Sequence, residues 1–335
     1  MPTEVSRPTQ NPSYFLISVS TRENLELCIS HALAGFPSGE SGAWTFCEIA
    51  EGDLVSFLYG ARAHNLYRVT KREAIRDAQH FGPWPPLTFR ETRRTYYFPF
   101  RLRLEPIRSF SESLVRAEFA YVAENLLLRG GYSKTHFQAD QTTLQSASQL
   151  GELMEGQPAP LAMGEYATFD PRFARVKGLA NAPEITRFRE TILQSVIKRY
   201  LASEFNLGNL LTGISFDVIP AAELEVLGEK AIPQGHIDIL LKRRVPVGSD
   251  FKIPIEVKTK KALPKDLSQL LGYMNELRGE CPIGMLIANE FHKQVMQSAR
   301  KLNVRLVRYS LADKVGNAPT FEELHQSLRL EPIPQ

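Results

Sequence analysis

A chain of 335 residues with 43% hydrophobic and 23% charged side chains has the make-up of a folded protein with room for two domains, which excludes a largely disordered polypeptide. The opening MPTEVSRPTQNPS lacks an apolar targeting stretch, and no later run reaches the ~20 apolar residues of a membrane helix, so a cytoplasmic location is expected. Cys28, Cys47 and Cys281 show no CxxC spacing or histidine cluster, which argues against a zinc site or disulfide framework, and a net charge of +3 decides little by itself.

Within residues 1–150, short strand-like runs at 14–20, 53–59, 66–70 and 95–105 are punctuated by Gly, Pro and Asn, and predict a curved β domain with a few helices. Between the first two runs, Thr21 can open an amphipathic helix with apolar positions Leu25, Cys28, Ile29 and Leu33, ending at Gly35. Residues 151–180 turn polar and Pro/Gly-bearing, as a linker would, which leaves 181–335 as the second domain. There the pattern predicts a helix at 184–205, strands at 214–220, 236–242 and 252–259, a helix at 265–279, a strand at 283–288, a helix at 291–303 and a strand at 304–309. The expected fold class is α+β with an α/β second part: a curved β barrel with helices, then a mixed sheet flanked by helices.

The chemistry falls on two of those strands. Strand alternation lets Ile237, Ile239 and Leu241 bury while Asp238 looks the other way; in the next strand Ile253, Ile255 and Val257 share one face, and Glu256 and Lys258 the opposite one. The turn formers Gly248, Ser249 and Asp250 predict a hairpin that brings Asp238 beside Glu256. Two carboxylates suit a hard divalent cation, Mg²⁺ with Mn²⁺ as a substitute, and the Val257 carbonyl can add a third oxygen; Lys258 can orient a water or offset developing negative charge. The bland alternative is a surface ion pair worth at most ~1 kcal/mol.

In the following helix Gln269 and Tyr273, four residues apart, share a face. The order Asp238, Glu256-Val257-Lys258, Gln269…Tyr273 resembles the PD-(D/E)XK nuclease superfamily, in its branch with a QxxxY motif, over residues 183–310. Ile237 stands where that family commonly has Pro. The resemblance implies a restriction-endonuclease-like domain in which Asp238, Glu256, Lys258, Gln269 and Tyr273 are catalytic and Asp238, Glu256 and Val257 hold metal. It also implies a carboxylate on the first helix. Glu184 and Glu190 are candidates, with Glu184 preferred because it leads the stripe of Ile185, Phe188, Ile192 and Val196.

The front half interleaves aromatics with arginines, among them Trp44, Phe46, Tyr59, Trp84, Phe89 and Tyr97 with Arg62, Arg68, Arg90 and Arg101. Most of the rings should be core; a few exposed ones could stack on a base while the cations neutralise phosphates. The run 14–20, Trp44 and Phe46, Gly52-Asp53 with its apolar strand and the returning Leu66–Val69 resemble an EVE or YTH-type domain of the PUA-like superfold. That implies a modified base held in an aromatic cage, for which Trp44, Tyr59 and Trp84 are candidates. The Gly-led loop 130–137 could approach DNA backbone. Joined, the two resemblances imply a type IV, modification-dependent restriction endonuclease acting on double-stranded DNA as a homodimer, one active site serving each strand. A structure-specific repair nuclease and a non-catalytic nucleic-acid binder with a nuclease fold are the alternatives.

Overall fold

A computed structural model describes residues 12–88, 93–116, 119, 135–154, 156, 161–232, 235–312 and 315–334. The first sheet is built from β1 (Tyr14–Ser18), β2 (Leu33–Phe36), β3 (Leu54–Tyr59) and β4 (Arg62–Ala74), and after the small hairpin β5 (Leu87–Thr88) and β6 (Thr95–Tyr96), from β7 (Phe100–Ser109), β8 (His136–Ala139) and β9 (Glu152–Leu153). Its order is β2-β7-β4-β3-β1-β8, with β9 against β7 and β1 parallel to β3, a curled half-barrel. Helix α1 (Arg22–His31) is capped as expected, the Thr21 hydroxyl accepting from the Asn24 amide at 3.1 Å. It stops earlier than expected, because Ala32 takes a left-handed conformation, φ 42°, and the chain turns at once into β2. Gly35 therefore lies in a strand, under the Trp84 ring: a β-carbon there would come within 2.3 Å of it. Trp44 and Phe46 sit on α2 (Glu40–Glu48).

A short helix α3 (Gln141–Ala147) leads to the segment expected as a linker, which is instead strapped along the molecule. The Phe169 amide donates to the Ala74 carbonyl at 2.9 Å, the Phe173 amide to the Pro319 carbonyl at 2.8 Å, and the Phe173 ring is fully buried. Phe173 belongs to β10 (Arg172–Ala174), parallel to β11 (Ile185–Arg187). The single helix expected at 184–205 is thus a strand followed by two helices, α4 (Glu190–Leu201) and α5 (Glu204–Gly213). Ser203 ends the first and caps the second, accepting from the Asn206 amide at 3.4 Å.

The second sheet runs in the order β12 (Leu224–Ile232), β13 (Gly235–Arg243), β14 (Lys252–Lys258), β15 (Gly284–Ala288), β16 (Val304–Leu311), β17 (Leu328–Pro332). β12 to β14 form an antiparallel meander, β15 joins β14 in parallel through α6 (Pro264–Leu277), and α7 (Lys293–Ala299) and α8 (Phe321–Ser327) cover the later strands. The strand expected at 214–220 is irregular chain, while β12 replaces it a few residues on. Ile214, Phe216 and Ile219 are buried there, so their apolar character marks core contact and not a strand. No helix among the described residues is long and apolar enough to cross a membrane.

Each half keeps smaller buried clusters of its own, around Leu16 and Phe137 in the first and around Leu270 and Leu286 in the second, but the largest one is shared. One continuous buried cluster runs from Phe15, Trp44 and Phe57 of the front half to Val196, Leu241 and Ile255 of the second. Polar contacts join them as well. Trp44 Nε1 donates to Ser195 Oγ at 2.7 Å, Ser195 Oγ donates to Glu48 Oε2 at 2.5 Å, and Lys198 Nζ donates to Glu48 Oε1 and, at 2.9 Å, to Gln138 Oε1. Gln138 also completes the edge of β12: its Nε2 donates to the Val226 carbonyl at 3.2 Å and its Oε1 accepts from the Gly228 amide at 2.9 Å, as a neighbouring strand would.

Candidate active site

β13 and β14 pair regularly from Lys242 opposite Lys252 to Ile239 opposite Ile255. Beyond that pair Asp238 takes over the strand's hydrogen bonding with its side chain, Oδ2 accepting from the Val257 amide at 2.7 Å. The next inward residue on β14 is Glu256, fully buried, and two positions on is Lys258, whose Nζ lies 2.7 Å from Glu256 Oε1. Ile255 and Val257 face the opposite side and are also fully buried. Strand alternation thus brings together the three side chains that the sequence singled out; Val257 contributes its backbone to the same place.

The carboxylate that lies beside Lys258 is Glu190 and not Glu184, the one preferred from the sequence. Because α4 begins only at Glu190, Glu184 falls before β11 and pairs with Arg76 at 2.9 Å on the surface. Glu190, in the first turn of α4, receives Lys258 Nζ on Oε1 at 2.9 Å and the Thr259 amide on Oε2 at 3.4 Å. The helix N-terminus favours its negative charge. Thr259 is held from its other side by Tyr309, whose hydroxyl donates to the Thr259 carbonyl at 2.7 Å. Tyr309 and Thr259 carry no spacing signal in the sequence; only the parallel stacking of β14, β15 and β16 brings them together.

The electrostatics are those of an over-charged pocket. Burial, then the charge of Glu256, push Asp238 well above the usual carboxylate range. Burial pushes Glu256 up to about 7 against the pull of Lys258. Burial works against the Lys258 ammonium, yet Glu256, Asp238 and Glu190 together hold it above its ordinary value. Glu256 Oε2 is buried without a hydrogen-bond partner, a costly arrangement for a carboxylate unless something cationic faces it. Among the described residues no group of three or more His, Cys, Asp or Glu side chains is gathered as a ready metal cage. Mg²⁺ does not need one: one or two carboxylates with waters and phosphate oxygens complete its shell, and Asp238 with Glu256 fit that demand.

On α6, Gln269 Nε2 donates to the Tyr273 hydroxyl at 2.8 Å, so the two expected partners meet on one helix face. The Tyr273 ring packs with Leu227, Ile237 and Leu240, and burial together with the negative charges of Glu256 and Asp238 raises its hydroxyl pKa. Tyr273 therefore stands beside the acidic cluster, with its hydroxyl engaged by Gln269.

The expected aromatic cage is not formed. Trp44 is 4% exposed and tied to Ser195, Trp84 is 8% exposed between Gly35 and the Arg101 guanidinium, and Tyr59 lies half-buried at the end of β3. The ring contacts of the two tryptophans are with His136 and Phe98, respectively. Both are core residues, Trp44 on the inner face of α2 and Trp84 packed on Gly35 of β2. A cavity of about 390 Å³ opens nearby instead, with Ser38, Ile75, Arg76, Tyr97, Phe169 and Glu184 in its walls. Of the loop expected to approach DNA, residues 130–134 lie outside the described residues, as do Phe89 and Arg90; Thr135 and His136 turn inward to Thr45.

No family model matches the chain, and no curated protein matches it. Among solved structures it is similar to the MspJI restriction endonuclease in complex with a 27-mer oligonucleotide, at 11% identity over 87% of this chain and 64% of that one, with a TM-score of 0.20. It is also similar to the DNA modification-dependent restriction endonuclease AspBHI, at 16% identity over 82% and 62% of the two chains, again with a TM-score of 0.20. The chain thus spans a little under two thirds of either. Likeness at this level fixes neither activity nor substrate, and the functional reading rests on the residues just described.

Proposed function

We propose that this protein is a metal-dependent DNA endonuclease of the PD-(D/E)XK type that cuts double-stranded DNA in response to a modified base. The observation that carries the proposal is the fully buried Glu256, with one oxygen unpartnered, beside Asp238 and Lys258. Asp238 and Glu256 would hold Mg²⁺ or Mn²⁺, with the Val257 carbonyl as a further oxygen. Bound there, the metal supplies Lewis-acid activation of water and neutralises charge on the scissile phosphate. Lys258, steered by Glu190 as well as Glu256, orients the attacking water and offsets charge developing on the phosphoryl oxygens. Lys260, Lys261 and Lys265, exposed just beyond β14, offer cations to flanking phosphates.

For the modified base, the cavity beside Tyr97 and Phe169 is a better place than the tryptophans. It offers aromatic faces for stacking and Ser38, Arg76 and Glu184 for the polar edge of a base taken out of its helix. One such site hydrolyses one strand, so a homodimer would complete a double-strand cut. The test is digestion, with Mg²⁺ or Mn²⁺, of matched DNAs bearing 5-methylcytosine, hydroxymethylcytosine, glucosylated hydroxymethylcytosine, N6-methyladenine or no modification. Cutting of one modified DNA alone supports the whole proposal. Equal cutting of all keeps the nuclease and sinks the modified-base trigger, and no cutting of any sinks the nuclease.

A further inference from the structure

Helix α4 does two things at once. Its first residue, Glu190, reaches Lys258 and the Thr259 amide, while residues one to two turns further on are gripped by the front half. The grip has two points. At the helix start, Arg189 Nε meets Glu40 Oε2 at 2.6 Å. Further along, the buried Glu48 carboxylate receives Ser195 Oγ at 2.5 Å and Lys198 Nζ, with His136 Nε2 at 3.4 Å, and Trp44 donates to the same Ser195 oxygen at 2.7 Å. Both points lie on the single helix α2, so α2 and α4 run side by side from Glu40 and Arg189 to Glu48 and Lys198. Within the pair, Glu48 side-chain exposure is 4% and that of Lys198 8%. A buried ion pair of this kind is weak evidence for added stability, because desolvation offsets most of its attraction; its surer product is a fixed register between the elements it joins.

We propose that Glu48, through Ser195 and Lys198, is a positioning residue that sets the register of α4 and so holds Glu190 against Lys258 and Thr259. The catalytic role given to Lys258 rests on the nuclease proposal above; the positional coupling between Glu48 and Glu190 does not. α2 begins two residues after Ser38, which lines the cavity, and the run from cavity-lining Glu184 leads directly into Glu190, so the same helix pair spans both sites.

The experiment compares full-length wild type with Glu48→Gln, Glu190→Gln and the double variant, with Ser195→Ala as the milder substitute should Glu48→Gln fold poorly. The first readout needs no activity: hydrogen exchange of the Thr259 amide, which donates to Glu190. It should speed at least tenfold in Glu48→Gln, while the Met285 and Ile287 amides of the neighbouring strand keep their protection. The second readout is kcat on whichever DNA the wild type cuts. Glu48→Gln should lower kcat about tenfold with little change in KM, and should add no further loss on top of Glu190→Gln. Unchanged Thr259 exchange, or losses that multiply independently in the double variant, would overturn the proposal. Faster Thr259 exchange in a protein that cuts no DNA in any form would leave the positioning intact and refute the nuclease.

Discussion

Replacing Glu256 by Gln should stabilise the metal-free protein while abolishing its chemistry. Burial raises the Glu256 carboxyl to about 7 from an ordinary 4.5, so between those values the folded chain holds a proton that the unfolded chain has already released. Stability consequently falls as pH rises through that window and levels above it. At about 1.4 kcal/mol per pH unit the upper bound is about 3 kcal/mol. Because Asp238 shares the repulsion and Gln gives up the ion pair with Lys258, about 1–3 kcal/mol should remain at pH 8, or roughly 1–4 °C in Tm for a chain of this length. The assay is urea or thermal unfolding in EDTA at pH 5, 6, 7 and 8, wild type against Glu256→Gln. The gap should be small at pH 5, grow across the window and be complete by pH 8. Millimolar Mg²⁺ should then narrow it by stabilising wild type alone. A variant no more stable than wild type at pH 8, or a gap equal at pH 5 and pH 8, would refute the claim that this cluster is strained by uncompensated negative charge.

Asp238→Ala and Lys258→Ala should each lower Mg²⁺-dependent cleavage at least about a thousandfold while the far-ultraviolet circular dichroism is retained, measured by nicking of a modified plasmid. Glu190→Gln should reduce kcat about 10- to 100-fold, whereas Glu184→Gln, at the cavity wall, should act on the apparent KM for modified DNA; the opposite assignment would restore Glu184 to the catalytic cluster. Trp44→Phe should cost about 1–2 kcal/mol in urea unfolding through the lost bond to Ser195 and keep its preference for modified DNA, while Tyr97→Ala should lose that preference in a competition binding assay.

The geometry of the candidate-site strands was legible because a period of two is a strong constraint: once Ile255 and Val257 are assigned to the core, Glu256 and Lys258 must share the other face. Gln269 and Tyr273 were legible for the analogous helical reason. Glu184 was misread because one apolar stripe, Ile185 to Val196, spans what are physically a strand and a helix; Ile185 of β11 pairs with Arg172 and Phe188 packs on the shared core before α4 begins, so neither continues the face of α4. Nor does composition separate a tryptophan that stacks on a ligand from one that seals a core. Trp44 and Trp84 had the right residue type and the wrong surroundings. The Glu48, Ser195 and Lys198 contacts were invisible for a further reason: their partners are about 150 residues apart, and no local pattern marks a pairing that tertiary packing alone creates.

The amide side chain of Gln138, standing in for a strand along β12, has a consequence for anyone who would treat the halves as exchangeable cassettes. Excised alone, residues 181–335 would bare the Val226 carbonyl and Gly228 amide on a nine-residue strand, an open template for pairing with other chains, and would strand Lys198 without its counter-charge. A new module grafted onto residues 181–335 must therefore arrive with its own equivalents of Gln138 and Glu48, and a fusion without them should aggregate.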